Sequence, residues 1–220
     1  MSTRPYPSHL RAFTLVEMLV VLAIIAIVTS LAVPMITSVM RTYQLDSAGQ
    51  VVVNQLNLAR QTALSRGHAV EIRLYLLPDY NTAASGTPTV YRAMQSFIEL
   101  DPAQSGTTES YSTSPLVKPI FFQAPVIISA VTSPNAVSPL LPTTANANTA
   151  DPSNPLPVYG SNYKYAMFHF KADGSTDLTS GLNSLSLVLE TDKATSTGLP
   201  ANFQTVTIDP LNGAIRSFRP

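Results

Sequence analysis

The 220-residue sequence contains no cysteine and no tryptophan. Without thiols, a disulfide scaffold, a thiolate metal site and a cysteine nucleophile are all excluded. Charge is also scarce. Only 12% of residues are charged, and 13 basic side chains balance 13 acidic ones. A nucleic-acid binder normally carries a basic excess or a basic face, so that class is not expected, and neither is a nucleic-acid partner. Histidine is limited to three residues, His9, His68 and His169. His68, beside Gly67, reads as a helix-terminal residue facing the helix dipole. His169, among aromatic neighbours, reads as a sheet-face residue. No HExxH, GxSxG or phosphate loop is present. No nucleophile, base and orienting group come together in the pattern, so the chain is not expected to be an enzyme, to bind a cofactor or to ligate a metal.

What the sequence does have is one long apolar run. From Phe13 to Ile36 it extends for 24 residues, about 36 Å as a helix, enough to span a bilayer with some tilt. Ahead of it, MSTRPYPSHLR carries Arg4, Arg11 and no acid. Pro5 and Pro7 disfavour a helix there. By the positive-inside rule this leader stays in the cytoplasm and the downstream chain lies outside it. Near the start of the run sits Glu17. A carboxylate in hydrocarbon costs about 2.5–3.5 kcal/mol on insertion scales, and such residues are usually functional.

Two readings of the run need nothing more. It can be a plain N-terminal anchor. It can also be a secretory signal peptide, cut after Ser30-Leu31-Ala32 where small residues stand at the required spacing. A third follows from likeness. The string Ala12-Phe13-Thr14-Leu15-Val16-Glu17 resembles the cleavage and methylation motif of type IV prepilins and type II secretion pseudopilins. The resemblance implies a cut after Ala12, which stands where that family usually has Gly. It implies N-methylation of Phe13 by a prepilin peptidase/methyltransferase. It also implies an assembly role for Glu17, pairing with the N-terminal amine of a neighbouring pilin or pseudopilin. Pro34 matches a proline at which that family's helix often kinks.

Beyond the run, Leu45, Ala48, Val52, Leu56, Ala59 and Ala63 recur at spacings of three and four, one apolar helix face. Asp46, Gln50, Asn54, Asn57 and Gln61 fall opposite. Gly67 is a C-cap candidate, and Gly49 and Pro34 are points where the rod can bend. The expected order is a leader at 1–12, a transmembrane and assembly helix at 13–36, an amphipathic continuation at 37–67 and a β-rich extracytoplasmic domain at 68–220. Strands are expected where Val70 to Leu76 alternate as a half-buried strand, at 89–100, at 116–128 with Pro119 and Pro125 against it, at 163–170 and around Leu185 to Leu189. A closing hairpin is expected around Asn212-Gly213. No helix after the first is evident. The fold class read here is α+β, a long N-terminal helix packed on an antiparallel sheet.

Residues 130–160, rich in Pro, Asn, Thr and Ala, read as an extended surface loop or a partly disordered insertion outside the core. Asp173-Gly174-Ser175-Thr176-Asp177 reads as a tight turn, with a calcium loop as the alternative. Tyr159, Tyr163 and Tyr165 read as strand formers, with a carbohydrate platform as the alternative.

Weaker likenesses accompany the first. Residues 57–74, FHFKADGSTD and the terminal VTIDPLNGAIRSF are similar to segments of H-type and FimT-like minor pseudopilins, and the start and length resemble protein D of the Verru_Chthon cassette. The function these imply is a pilin-like structural subunit, a minor one, held in the inner membrane with its C-terminal domain in the periplasm and built into a filament. The alternative is a membrane-anchored or secreted binding module outside any filament.

Overall fold

The computed structural model describes residues 13–79, 83, 86–100, 112–129, 131–133, 136–137, 140–141, 147–180, 183–193 and 198–219, with backbone only at 31–38, 112, 131–133, 136–137 and 193. The leader at 1–12 lies outside them. The chain divides into two compact units between Arg41 and Thr42. Helix α1, Leu15–Arg66, contributes to both. Pro34 falls inside α1, and its side chain is outside the described residues. In the first unit Leu15, Val16, Leu19, Leu22, Ile25 and Ile27 are all exposed. Among the described residues no helix is long and apolar enough to cross a membrane.

In the second unit α1 is amphipathic in the expected register. Leu45, Ala48, Val52, Leu56, Ala59 and Ala63 are all buried, while Asp46, Gln50, Asn54, Asn57 and Gln61 are exposed. The helix ends at Gly67, whose φ of 68° suits a residue without a Cβ and whose N–H donates to the Ala63 carbonyl at 2.9 Å.

The strands that follow are β1 (Val70–Leu77), β2 (Val90–Leu100), β3 (Ser112–Pro115), β4 (Ile120–Phe121), β5 (Val126–Ser129), β6 (Val131–Ser133), β7 (Ala136–Val137), β8 (Asn148–Thr149), β9 (Lys164–Phe170), β10 (Asn183–Leu189), β11 (Phe203–Ile208) and β12 (Ile215–Phe218). Ten of them form one sheet in the order β12-β11-β10-β5-β2-β1-β9-β8, with β3 and β4 also paired to β2. Each of these pairings is antiparallel. β6 and β7 pair separately. The proline-interrupted stretch 116–128 yields β4 and β5 in place of one strand, because proline cannot donate to a ladder. A one-turn helix, α2 (Glu190–Lys193), follows β10. It corrects the expectation of no later helix; four residues are too few for a periodic signal. The Glu190 N–H donates to the Pro125 carbonyl at 2.8 Å and its carboxylate accepts from Arg92 at 2.6 Å.

β1 is buried along all eight residues, where a half-buried strand was expected. Val70, Ile72, Leu74 and Leu76 join the helix face in the main core. Tyr75 and Leu77 join a second cluster with Ala83, Ala93, Leu156, Tyr159 and Tyr163. The covering layer comes from the proline-rich segment, so the expectation that 130–160 stays outside the core is corrected. Leu140 and Leu141 are buried in the main core, and Leu156 and Tyr159 in the second cluster. Scattered apolar residues between prolines have no period to reveal them. Residues 130, 134–135, 138–139 and 142–146 of this segment are outside the described ones. The three tyrosines are no exposed platform: Tyr163 packs edge-on against Tyr75, with centroids 5.2 Å apart.

Asp151, the one charge of that segment, ties it down. Its Oδ2 accepts from Arg73 Nη1 at 2.9 Å and from Asn154 Nδ2 at 2.8 Å, and its Oδ1 accepts from the Ser153 N–H at 2.9 Å. Its own N–H donates to the Tyr163 hydroxyl at 3.0 Å. Asp151→Ala is expected to lower unfolding free energy by about 1–3 kcal/mol, since it leaves Arg73 short of one buried partner. Chemical denaturation checks this, and limited proteolysis should show cleavage concentrated between residues 147 and 163.

Gly49 is explained by packing. A Cβ there would lie 2.0 Å from Gln204 Oε1 on β11. Gly49→Val is expected to cost about 1–3 kcal/mol through overpacking. Thermal melts should show part of that loss recovered in the double variant with Gln204→Ala. If the two changes add independently, the contact is not the reason for the glycine.

Candidate processing segment and charged cluster

Of the expected processing and assembly residues, Ala12 lies outside the described residues. Phe13 and Glu17 do not. Phe13 is exposed at the entry to α1. The Thr14 N–H donates to Glu17 Oε2 at 3.0 Å, and the Thr14 hydroxyl donates to the same oxygen at 3.1 Å. In return the Glu17 N–H donates to Thr14 Oγ1 at 3.2 Å. This is a capping box, Thr at the N-cap and Glu three residues on, satisfying donors that the first turn leaves free. The signal was in the sequence as Thr14-x-x-Glu17 before an apolar run, and the sequence reading passed over it. Both bonds to the carboxylate use Oε2. Oε1 takes no hydrogen bond among the described residues.

The second site joins residues far apart in sequence. Sheet register places Glu71 of β1 opposite His169 of β9. Glu99, near the end of β2, is brought alongside by the β1 to β2 pairing, its N–H donating to the Ala69 carbonyl at 2.9 Å. His169 Nδ1 meets Asp177 Oδ2 at 2.6 Å, and its Nε2 lies 3.3 Å from Glu99 Oε1 and 3.8 Å from Glu71 Oε2. Arg73 bonds Glu71 through Nε and sits over the Phe97 ring, 4.2 Å from its centroid.

The hydrogen bond to Asp177, with that to Glu71 second, pushes the His169 imidazole up to about 10, against the opposing effect of burial. Burial raises the Glu71 carboxyl, yet its bonds to His169 and Arg73 outweigh that and hold it below the usual range. His169 does lie on a sheet face, as expected, but at the centre of an ionic cluster. Spacing could not find it, because only strand register brings residues 71, 99 and 169 together. Glu71, Glu99 and His169 are also the described residues that could hold a metal ion.

The Asp173 to Asp177 stretch is a tight turn. Gly174 has φ 81°, and the Asp173 carboxylate accepts from the Ser175 N–H at 2.9 Å. The carboxylate of Asp177 is engaged by His169 through both oxygens, its Oδ1 accepting from the His169 N–H at 2.8 Å. Calcium ligation by this loop would have to break those bonds.

Residues 8–33 match the family model described as the prokaryotic N-terminal methylation motif. No curated protein matches the chain. Among solved structures, the minor pseudopilin EpsH from the type 2 secretion system of Vibrio cholerae is 11% identical, with a TM-score of 0.40 over 80% of this chain and 98% of that one. The type IV minor pilin FimU of Pseudomonas aeruginosa strain PAO1 is 14% identical, with a TM-score of 0.41 over 81% of this chain and 93% of that one. Both likenesses are distant. The chain therefore carries a prokaryotic N-terminal methylation motif at the opening of its long helix, followed by an antiparallel sheet in an α+β fold.

Proposed function

We propose that the chain is a structural subunit of a pilus or type II secretion pseudopilus. It is made as a prepilin in the inner membrane, its sheet domain lying in the periplasm. A prepilin peptidase/methyltransferase cuts it after Ala12 and methylates the new Phe13 amine. The apolar start of α1 then packs among the helices of other pilins or pseudopilins. The chain acts as a substrate and building block, and no catalysis is asked of it.

The observation that carries this reading is the methylation motif over residues 8–33. The start of α1 supports it. A helix apolar all round is stable only in lipid or among similar helices, and the described residues from Leu15 to Val28 are exposed there. Glu17 adds a way to set register. Its Oε2 caps its own helix, which leaves Oε1 as the acceptor for a neighbour's Phe13 amine. An ion pair gains strength where water is excluded, and a subunit docked out of register leaves the charge unpaired. A minor, low-copy role rests on the size of the sheet domain behind Thr42.

Mass spectrometry of the mature N-terminus, from membrane-purified protein, tests the processing. A methylated Phe13 is the expected result. A start at Val33 would mean ordinary secretion, and an intact leader would mean a simple anchor; either would return the chain to the class of tethered or secreted binding modules. Glu17→Gln is expected to leave processing at Ala12 intact while lowering incorporation into filaments by about tenfold or more, the loss of one charged pair in a dry interface. Unchanged incorporation would remove the register role.

A further inference from the structure

We propose that Glu71, Glu99 and His169 form a binding site for a divalent first-row transition metal, zinc foremost, on the sheet face away from α1. The site is independent of the filament reading, since it uses no residue of the N-terminal helix.

Three strands each contribute one ligand. The carboxylate oxygens of Glu71 on β1 and Glu99 on β2 and the Nε2 of His169 on β9 all lie within 4.8 Å of one another. His169 Nε2 is 3.3 Å from Glu99 and 3.8 Å from Glu71. Ligands of a tetrahedral zinc, each about 2.0–2.2 Å from the ion, stand roughly 3.3–3.6 Å apart. The two distances from His169 already stand within a few tenths of an ångström of that spacing, and the two glutamate oxygens, within 4.8 Å of each other, draw together on the ion. One imidazole and two carboxylates suit zinc and its neighbours. Calcium wants six to eight oxygens, and magnesium a near-ideal octahedron.

The contacts around these three are those that orient metal ligands. Asp177 holds His169 at Nδ1, 2.6 Å away, which turns Nε2 toward the two glutamates. Arg73 holds Glu71 by Oε1 and leaves Oε2 for the ion. A carboxylate on the far nitrogen of a ligating histidine, and a hydrogen bond to the spare oxygen of a ligating carboxylate, are the usual outer partners of such sites.

Charge points the same way. Glu71, Glu99, Asp151 and Asp177 gather around Arg73 and His169. A divalent ion beside a neutral imidazole offsets this excess of carboxylate better than a single proton does. Access is graded: the Glu71 side chain is 6% exposed, at the floor, while those of His169 and Glu99 are 22% and 23% exposed at the rim. Three protein ligands leave a fourth position for water or a partner's side chain. The ion must displace the Nε2 proton, so affinity rises with pH.

The test uses the full-length chain in detergent micelles, purified without a histidine tag, stripped with a chelator and titrated with zinc alone at pH 6 and pH 8. One equivalent should bind, more tightly at pH 8, and raise the melting temperature. Cobalt in its place should give visible ligand-field absorption. Glu99→Gln and Asp177→Asn, both at partly exposed positions, should fold and each lose about 10–100-fold in affinity. A wild-type chain that takes up no zinc at pH 8 would overturn the proposal. So would uptake with unchanged affinity in both variants, which would place the ion elsewhere.

Discussion

The packing of one helix face on one sheet sets the terms for everything after Thr42. Leu45, Val52 and Leu56 fill the space above the sheet, while Ala48, Ala59 and Ala63 let the backbones approach. Each fully buried Leu or Val contributes about 1.5–3 kcal/mol by leaving water. That sum makes the helix stable here, since helical stability in proteins comes mostly from burying an amphipathic face. The other contacts serve the same interface. Gly49 yields its side-chain volume to Gln204. Arg60 donates to the Asn212 carbonyl at 3.0 Å and pins the closing hairpin to the helix.

A sheet buried on one face would leave β1 half exposed. Its second face carries Glu71, Arg73 and Tyr75, and polar groups placed there must be paired if they are covered. Arg73 resolves this by taking Glu71 and Asp151 as partners, with the Phe97 and Tyr165 rings against its guanidinium. One side chain thus neutralises a buried acid and anchors the covering segment. The segment from Asp151 to Tyr163 is held by specific bonds and by the aromatic cluster beneath it. Its proline content limits its own backbone freedom, which lowers the entropy cost of holding it in place.

The two ends of α1 answer to different surroundings. Past Thr42 its polar residues face water and its apolar ones face a sheet. Before Arg41 the exposed apolar side chains have no such division. A helix of this kind is suited to lipid or to copies of itself, and the capping box at Thr14 and Glu17 satisfies its first turn without an outside partner.

Much of this was legible in the chain. Spacing of three and four named six helix residues buried in the main core, and alternation located β1 and β10, because both patterns repeat a local geometry with a fixed period, while the Asn212-Gly213 turn signal located the closing pair β11 and β12. The prepilin-type motif was legible too, since six adjacent residues carry it, and so was the Thr-x-x-Glu cap that lies within it. Tertiary structure alone decided the rest. Leu140, Leu141, Leu156 and Tyr159 entered cores without any period to announce them. Glu71, Glu99 and His169 became one cluster only because antiparallel register aligns strands that are 28 and 70 positions apart in the sequence. Local preference follows from neighbours along the chain, whereas a site made across strands depends on pairing, which forms only when the whole sheet does.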